Sequence, residues 1–350
     1  MSKEITLGIL GSGQLGTELV KSAKRIGIKK VVVLSDDKEG PAQNFCDEYI
    51  FSDYKNISNI ENFIKKIDIC TYEFENLPLE VLDKINQSKK VFPNPNCLRI
   101  AQNRILEKSF ANRLGIKTTE WKQINSLNEL KSNYDLLPGI LKTCTMGYDG
   151  KGQYKVNSIE DIDEKIDFKK DYILEKFVDL KQEISVAATR YQDKKITIYE
   201  PSENVHENGI LKYSKMPANI NQELYKQSQD ITKKICENLD YVGTICVEFL
   251  ITKKNELLFN EKSCRPHNSF WNTVNSHNIS QFEGHIKSVL GLDFVENKKI
   301  SNSEMYNILG SEILEYRKKT FKKNEFFYDY LKKEPREGRK MGHITRLLKN

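Results

Sequence analysis

Ile5-Thr6-Leu7-Gly8-Ile9-Leu10-Gly11-Ser12-Gly13-Gln14-Leu15-Gly16 reads as a buried strand, a glycine-rich turn and the first turn of a helix. An apolar run closed by glycines and followed by helical spacing is how a parallel sheet begins. Further strands fall at 31–34, 48–51 and 69–72, with helical stretches through residue 26 and at 57–67 and 78–87. Strands alternating with helices give a parallel sheet covered by helices on its faces. Residues 1–98 therefore form one α/β unit, ending near Pro93-Asn94-Pro95.

The turn is a GxGxxG sequence, with Asp36 and Asp37 about twenty residues further on. Its glycines permit a tight turn and let a phosphate approach a helix N-terminus. Three readings stay open on these residues: a dinucleotide, another phosphate-bearing ligand, or a turn kept only for packing.

Beyond residue 98 a helix spans about 104–114. Short strands at 140–142 and 154–156 flank a second glycine segment, and another strand covers 172–177. We read 99–178 as a linker helix and a small, mostly antiparallel lobe. Longer strands follow at 183–191, 197–199 and 246–251, with helices at 221–239 and 279–290, so 179–350 is a third region. The basic stretch from residue 318, including Arg336-Glu337-Gly338-Arg339-Lys340-Met341-Gly342-His343, reads either as a phosphate site or as a basic tail.

The second glycine segment is Gly147-Tyr148-Asp149-Gly150-Lys151-Gly152-Gln153. It joins two strands, unlike a Walker loop. Such a loop can fold over a triphosphate, offering backbone N–H groups and one ammonium. A plain hairpin turn at Asp149-Gly150 is the alternative. Glu248 and Glu261 stand among apolar neighbours in two strand-like segments. Two buried carboxylates side by side repel unless each has an ion-pair partner or Mg²⁺ lies between them. Arg265-Pro266-His267-Asn268-Ser269 follows at once and suits an anion or substrate site.

Composition narrows the classes. The 350 residues, 38% hydrophobic and 30% charged, allow roughly two to three domains with a sizeable core. No apolar run of about 18 residues exists, and the N-terminus lacks the order of a signal peptide, so we expect a cytoplasmic protein with no membrane partner. The net charge of +6 is spread over many lysines, which we read as a solvated surface with no nucleic-acid partner. The seven cysteines form no CxxC pair and read as reduced core residues.

Taken in order, eight segments resemble the ATP-grasp superfamily, and within it the N5-carboxyaminoimidazole ribonucleotide synthetases. They are 11–16, Tyr72-Glu73-Phe74-Glu75-Asn76, 147–153, Glu203-Asn204-Val205-His206-Glu207-Asn208-Gly209-Ile210-Leu211, Asn260-Glu261, 265–269, Ile279-Ser280-Gln281-Phe282-Glu283 and 338–343. The resemblance implies an ATP-grasp fold: an N-terminal Rossmann-like pre-ATP-grasp domain, a small lid lobe and a C-terminal α+β region. It also implies a cytoplasmic, homodimeric ligase using ATP and Mg²⁺ to carboxylate 5-aminoimidazole ribonucleotide (AIR) with bicarbonate.

By the same resemblance Arg104, Lys142, Gly147, Gly150, Gly152, His206 and Asn260 contact ATP. Glu175 and Val178 lie at the adenine and Glu183 at the ribose, while Glu248 and Glu261 hold Mg²⁺. Tyr148, Asp149, Lys151, Arg265, His267 and Asn268 are the expected catalytic group. Gln14, Glu73, Ser269, Lys333, Arg339 and Lys340 are the expected substrate contacts, and the first glycine turn then serves AIR. The chain departs from the family pattern at Lys262-Ser263-Cys264 and at Phe270-Trp271, two aromatics where relatives usually carry Gly-His. Two alternatives remain: another ATP-grasp ligase such as formate-dependent glycinamide ribonucleotide transformylase, or an ATP-binding pseudoenzyme whose pocket Phe270 and Trp271 block.

Overall fold

The computed structural model describes residues 4–145, 152–161 and 166–349. The opening segment forms β1 (Thr6–Leu10) and α1 (Gln14–Arg25). β2 (Lys30–Ser35), β3 (Glu48–Phe51), α2 (Ile57–Lys66), β4 (Ile69–Tyr72), α3 (Leu79–Asn86) and β5 (Lys90–Val91) follow. The five strands are parallel, in the order β3-β2-β1-β4-β5. Both faces are apolar because both are covered. Leu7, Ile9, Val31 and Val33 pack with Leu15 and Leu19 of α1. Leu10, Val32 and Leu34 pack on the other face with Ile60 and Phe63 of α2.

Two helices, α4 (Pro95–Ala101) and α5 (Arg104–Arg113), lead out of this sheet. Asn94 and Asn103 cap them, each side chain accepting from a backbone N–H of its first turn. A four-stranded antiparallel sheet follows, built from β6 (Trp121–Ile124), β7 (Gly139–Thr143), β8 (Gln153–Val156) and β9 (Tyr172–Lys176) in the order β6-β9-β7-β8. The short α6 (Leu127–Ser132) closes its small core, adding Leu130 to Ile124, Leu141, Tyr172 and Leu174.

The third sheet begins with β10 (Leu180–Arg190), β11 (Ile196–Ile198), β12 (Ser202–Glu207) and β13 (Ile210–Met216). After α7 (Gln222–Asn238) come β14 (Gly243–Thr252), β15 (Leu257–Ser263), α8 (Thr273–Ser276) and α9 (Gln281–Val289). It ends with β16 (Ser303–Leu309), α10 (Glu312–Tyr316), β17 (Glu325–Asp329) and β18 (Lys340–Leu347). The path runs β15-β14-β10-β12-β13-β16-β18-β17, with β11 on β10. The basic stretch near the C-terminus is thus no free tail. From Lys340 on it is β18, an interior strand paired to β16 and β17, and His343 within it is fully buried.

Phe270 and Trp271 also lie in the core, with exposures of 0% and 2%. Phe270 packs with Tyr199, and Trp271 packs against Phe282, Tyr330 and His343. Trp271 fills the space between α9 and β18, and Phe270 is buried among Ala187, Met216 and Cys246, so neither blocks a pocket.

Candidate active site

The three sheets meet around one large cleft of about 770 Å³. Gln14 and Glu73 line it from the first sheet, Lys142 and Glu175 from the second, and Glu183, His206, Glu248 and Glu261 from the third. Arg104, Val178, Asn260, Arg265, His267 and Asn268 also face it, and Arg339 and Lys340 line it with Lys332. Gly147, Tyr148, Asp149, Gly150 and Lys151 lie outside the described residues. Gly152 takes the left-handed conformation (φ 73°) at the start of β8 and accepts a hydrogen bond from Thr143 N–H.

Strand register explains the carboxylate pair. Glu248 on β14 and Glu261 on β15 are direct cross-strand partners, so both side chains leave the same face of the sheet. Each also has a partner at hydrogen-bond distance. His267 Nε2 lies 3.0 Å from Glu248 Oε1, and Arg104 Nη1 donates to Glu261 Oε2 at 3.1 Å. Burial pushes the Glu248 carboxyl up. The hydrogen-bonded His267 ring, with His206 and Arg265 nearby, outweighs burial and holds it well below the usual carboxylate range. On the neighbouring strands Glu183 pairs with His206. Burial lowers the His206 pKa, but this carboxylate raises it further and leaves it above its ordinary value.

Glu175 is a second centre of charge. Its Oε2 accepts from Thr119 Oγ1 at 3.0 Å and Lys142 Nζ at 3.1 Å, and Lys108 Nζ lies 3.4 Å away. Burial raises its pKa, but Lys108, Lys142 and Arg104 bring it down to about 2. Its other oxygen is buried without a partner among the described residues, so a hydrogen-bond donor arriving in the cleft finds an acceptor in place.

Sequence reasoning missed Glu107 and Lys108. Both are buried on α5, and their spacing from Arg104 (i, i+3, i+4) was the signal that one helical face carries charge inward. Glu107 holds Lys262, accepting from its backbone N–H at 2.9 Å and its Nζ at 3.3 Å. Lys262 is therefore not a loose charge beside the carboxylates; its ammonium is fully buried against α5. Glu75 was also missed. It accepts from Cys264 N–H at 2.7 Å and lies 3.4 Å from Arg265.

Two expectations need correction, and one open reading of the glycine turn falls. Ser269 is fully buried and does not line the cleft; its hydroxyl lies 2.8 Å from both Ser185 Oγ and His267 Nδ1. Lys333 points outward to an ion pair with Glu39 and is absent from the cleft lining. The glycine turn's N–H groups already hold an anion: Gly13 N–H donates to Glu73 Oε1 at 2.7 Å and Gly16 N–H to Oε2 at 3.2 Å. A pyrophosphate would have to evict this carboxylate from the helix N-terminus, which removes the dinucleotide reading.

Comparison with known proteins agrees with the geometry. Residues 4–102 match the ribonucleotide synthetase preATP-grasp domain, 109–282 the ATP-grasp domain, and 303–350 the phosphoribosylaminoimidazole carboxylase C-terminal domain. An N5-carboxyaminoimidazole ribonucleotide synthase from Brucella melitensis biotype 1 is 36% identical over 348 residues, 98% of this chain and 96% of that protein. The crystal structure of an ADP complex of an N5-carboxyaminoimidazole ribonucleotide synthetase superposes with a TM-score of 0.94 at 33% identity, covering 99% of this chain and 93% of that one. The Aspergillus clavatus synthase in complex with ADP and 5-aminoimidazole ribonucleotide superposes at 0.91 with 27% identity, covering 99% and 95%. This chain is an ATP-grasp ligase and belongs to the N5-carboxyaminoimidazole ribonucleotide synthase family.

Proposed function

We propose that the protein uses ATP and bicarbonate to carboxylate the exocyclic amine of AIR, releasing ADP and phosphate, in purine biosynthesis. One observation carries this reading. A single cleft is lined by the buried Glu175–Lys142 pair, by the facing carboxylates and by Lys332, Arg339 and Lys340. A nucleoside triphosphate and a second, phosphate-bearing substrate therefore fit side by side.

In this reading Lys142, Arg104, Asn260 and the 147–152 segment hold the ATP phosphates. Glu175 accepts from the base through its unpartnered oxygen, Val178 flanks the base, and Glu183 with His206 binds the ribose. Gln14, Glu73, Asn268, Arg265, Arg339 and Lys340 take AIR, with Tyr148, Asp149 and Lys151 closing from the lid. Bicarbonate attacks the γ-phosphate to give carboxyphosphate, and the amine of AIR takes up the carboxyl carbon. Such a transfer needs positioning and charge neutralisation more than covalent help from the protein.

Mg²⁺ fits these residues. Among the described residues no cluster of three or more His, Cys, Asp or Glu side chains could hold a metal ion. Two facing carboxylates beside a carboxamide supply the oxygen donors that Mg²⁺ takes when phosphates complete its shell. Glu248 and Glu261 would hold it, and when bound it supplies positive charge to the transferring phosphoryl group. We further propose that the enzyme works in the cytoplasm as a homodimer, as its resemblance implies; none of the helices described is long and apolar enough to cross a membrane.

The test is ADP release from Mg-ATP and bicarbonate, with and without AIR. AIR-dependent release supports the reading. ATP binding without stimulation by AIR overturns it, and stimulation by formate with glycinamide ribonucleotide points to the transformylase reaction instead. Glu261→Gln is expected to abolish turnover while circular dichroism stays unchanged, since a charge is lost and the volume kept.

A further inference from the structure

Behind His267, away from the cleft, lies a line of buried polar side chains to which the reaction as described gives no role. Ser269, Ser185 and Ser214 are fully buried, and Asn204 is 5% exposed. They sit on neighbouring strands because Ser185 of β10 is the register partner of both Glu248 of β14 and Ser202 of β12, and Asn204 pairs with Ser214 of β13. Polar groups in a sheet interior are costly unless they serve one another.

Here they do. Ser214 Oγ donates to Asn204 Oδ1 at 2.9 Å, and Asn204 Nδ2 donates to Ser185 Oγ at 2.8 Å. Ser185 Oγ lies 2.8 Å from Ser269 Oγ, which lies 2.8 Å from His267 Nδ1. The far ring nitrogen, Nε2, is 3.0 Å from Glu248 Oε1.

The direction of this line is set at His267. The far end agrees with it: Ser185 accepts from the Asn204 amide, which leaves its own proton available to Ser269 and the Ser269 proton available to His267. Independently, the backbone N–H of Ser269 points at Nδ1 from 3.4 Å. A backbone N–H only donates, so Nδ1 offers a lone pair. The ring proton is then on Nε2, where it is given to Glu248.

We infer that Ser185 and Asn204, acting through Ser269, are positioning residues that lock His267 in its Nε2–H tautomer, so that it orients Glu248 instead of serving as the base for the amine of AIR. Both ring nitrogens are spoken for: one lone pair faces the buried serines and one N–H faces a carboxylate. Glu248 is thereby fixed through one oxygen, leaving the other toward the cleft. This deepens the proposed reaction and rests on it, because Glu248 matters only if the phosphates lie there. Second partners of this kind set both the tautomer and the orientation of a histidine.

The test uses the full chain with isotope-labelled histidine, reading the ring nitrogens of His267 by NMR, together with steady-state kinetics. The parent is expected to show the Nε2–H tautomer. Ser185→Ala is expected to mix the tautomers and lower kcat by roughly tenfold with the KM for AIR within about twofold, the cost of one lost orienting hydrogen bond. Ser185→Thr, which keeps the hydroxyl, is expected to hold the parent tautomer and recover most of kcat.

A parent ring protonated on Nδ1, or on both nitrogens, overturns the inference. So does a Ser185→Ala protein whose kcat falls without a tautomer change, since the loss is then structural, or one whose tautomer changes without loss of kcat. Failure of the reaction itself is distinguishable: the parent would then release no AIR-dependent ADP, whatever its His267 tautomer.

Discussion

Acid should loosen this enzyme at the seam between its first and third sheets, through His285. The ring is fully buried on α9. Its Nδ1 accepts from Thr244 N–H at 3.0 Å, and Nε2 lies 2.7 Å from the hydroxyl of Thr71 on β4. Because a backbone N–H faces Nδ1, a second ring proton would meet a donor. Burial pushes the pKa down from 6.5 to about 3. The folded state thus refuses a proton that the unfolded chain accepts below 6.5, so the contribution is complete above that pH and is lost as pH falls toward 3.

At about pH 5 the difference is roughly 1.5 log units, or about 2 kcal/mol. Buried His343, pushed down to about 3, and His277, down to about 4, act with the same sign. Together the three rings cost about 6 kcal/mol at about pH 5, comparable with the whole stability of many proteins. Urea unfolding near pH 8 and near pH 5 measures this. His285→Gln keeps an acceptor for Thr244 N–H but does not titrate. Its loss of stability between the two pH values should be smaller than the parent's by about 2 kcal/mol, other titrations cancelling in the comparison. Equal losses in parent and variant would refute the reasoning.

Glu73→Ala leaves two N–H groups at the α1 N-terminus without their carboxylate; unfolding in urea should show a loss of about 1–3 kcal/mol, and steady-state kinetics a higher KM for AIR. Trp271→Ala should cost about 3–5 kcal/mol in the same unfolding assay while leaving the KM for AIR within about twofold, because the indole fills the core and not the cleft. Burial raises the Glu107 carboxyl to about 7 despite Lys262. A raised carboxyl contributes below its unfolded pKa and loses that contribution as pH rises through the folded value. Relative to the parent, Lys262→Met should therefore be nearly neutral below about pH 7 and lose roughly 1.4 kcal/mol per pH unit above it, read from unfolding midpoints.

The parts legible in the sequence were those whose signal is local. The run Val31-Val32-Val33-Leu34 is apolar throughout because helices cover both faces of β2, and any short window displays that. What was missed depends on distant partners. β18 opens with Lys340 and contains Gly342, His343 and Arg346, a poor strand by composition; it becomes one because β16 and β17 pair on its two sides. Glu73 occupies the glycine turn from 60 residues away, so the turn alone could not reveal that its anion is part of the chain.

Ser269 was misjudged, and the place of Lys262 was not foreseen, for a different reason, and one of them was recoverable. Side chains alternate along a strand, so if Glu261 faces the cleft, Lys262 must face the opposite side. An ammonium sent into a packed interface demands a carboxylate there, and α5, whose Arg104 reaches Glu261, carries Glu107 one turn on. The pairs Arg104–Glu261 and Glu107–Lys262 are thus two faces of one contact between α5 and β15. The departure from the family pattern at Lys262 is absorbed by that contact, which explains how a lysine can stand beside the proposed metal carboxylate without neutralising it. Ser269 allowed no such deduction. It follows the strand, and only the crossing of β10 beneath it turns its hydroxyl from the cleft toward Ser185.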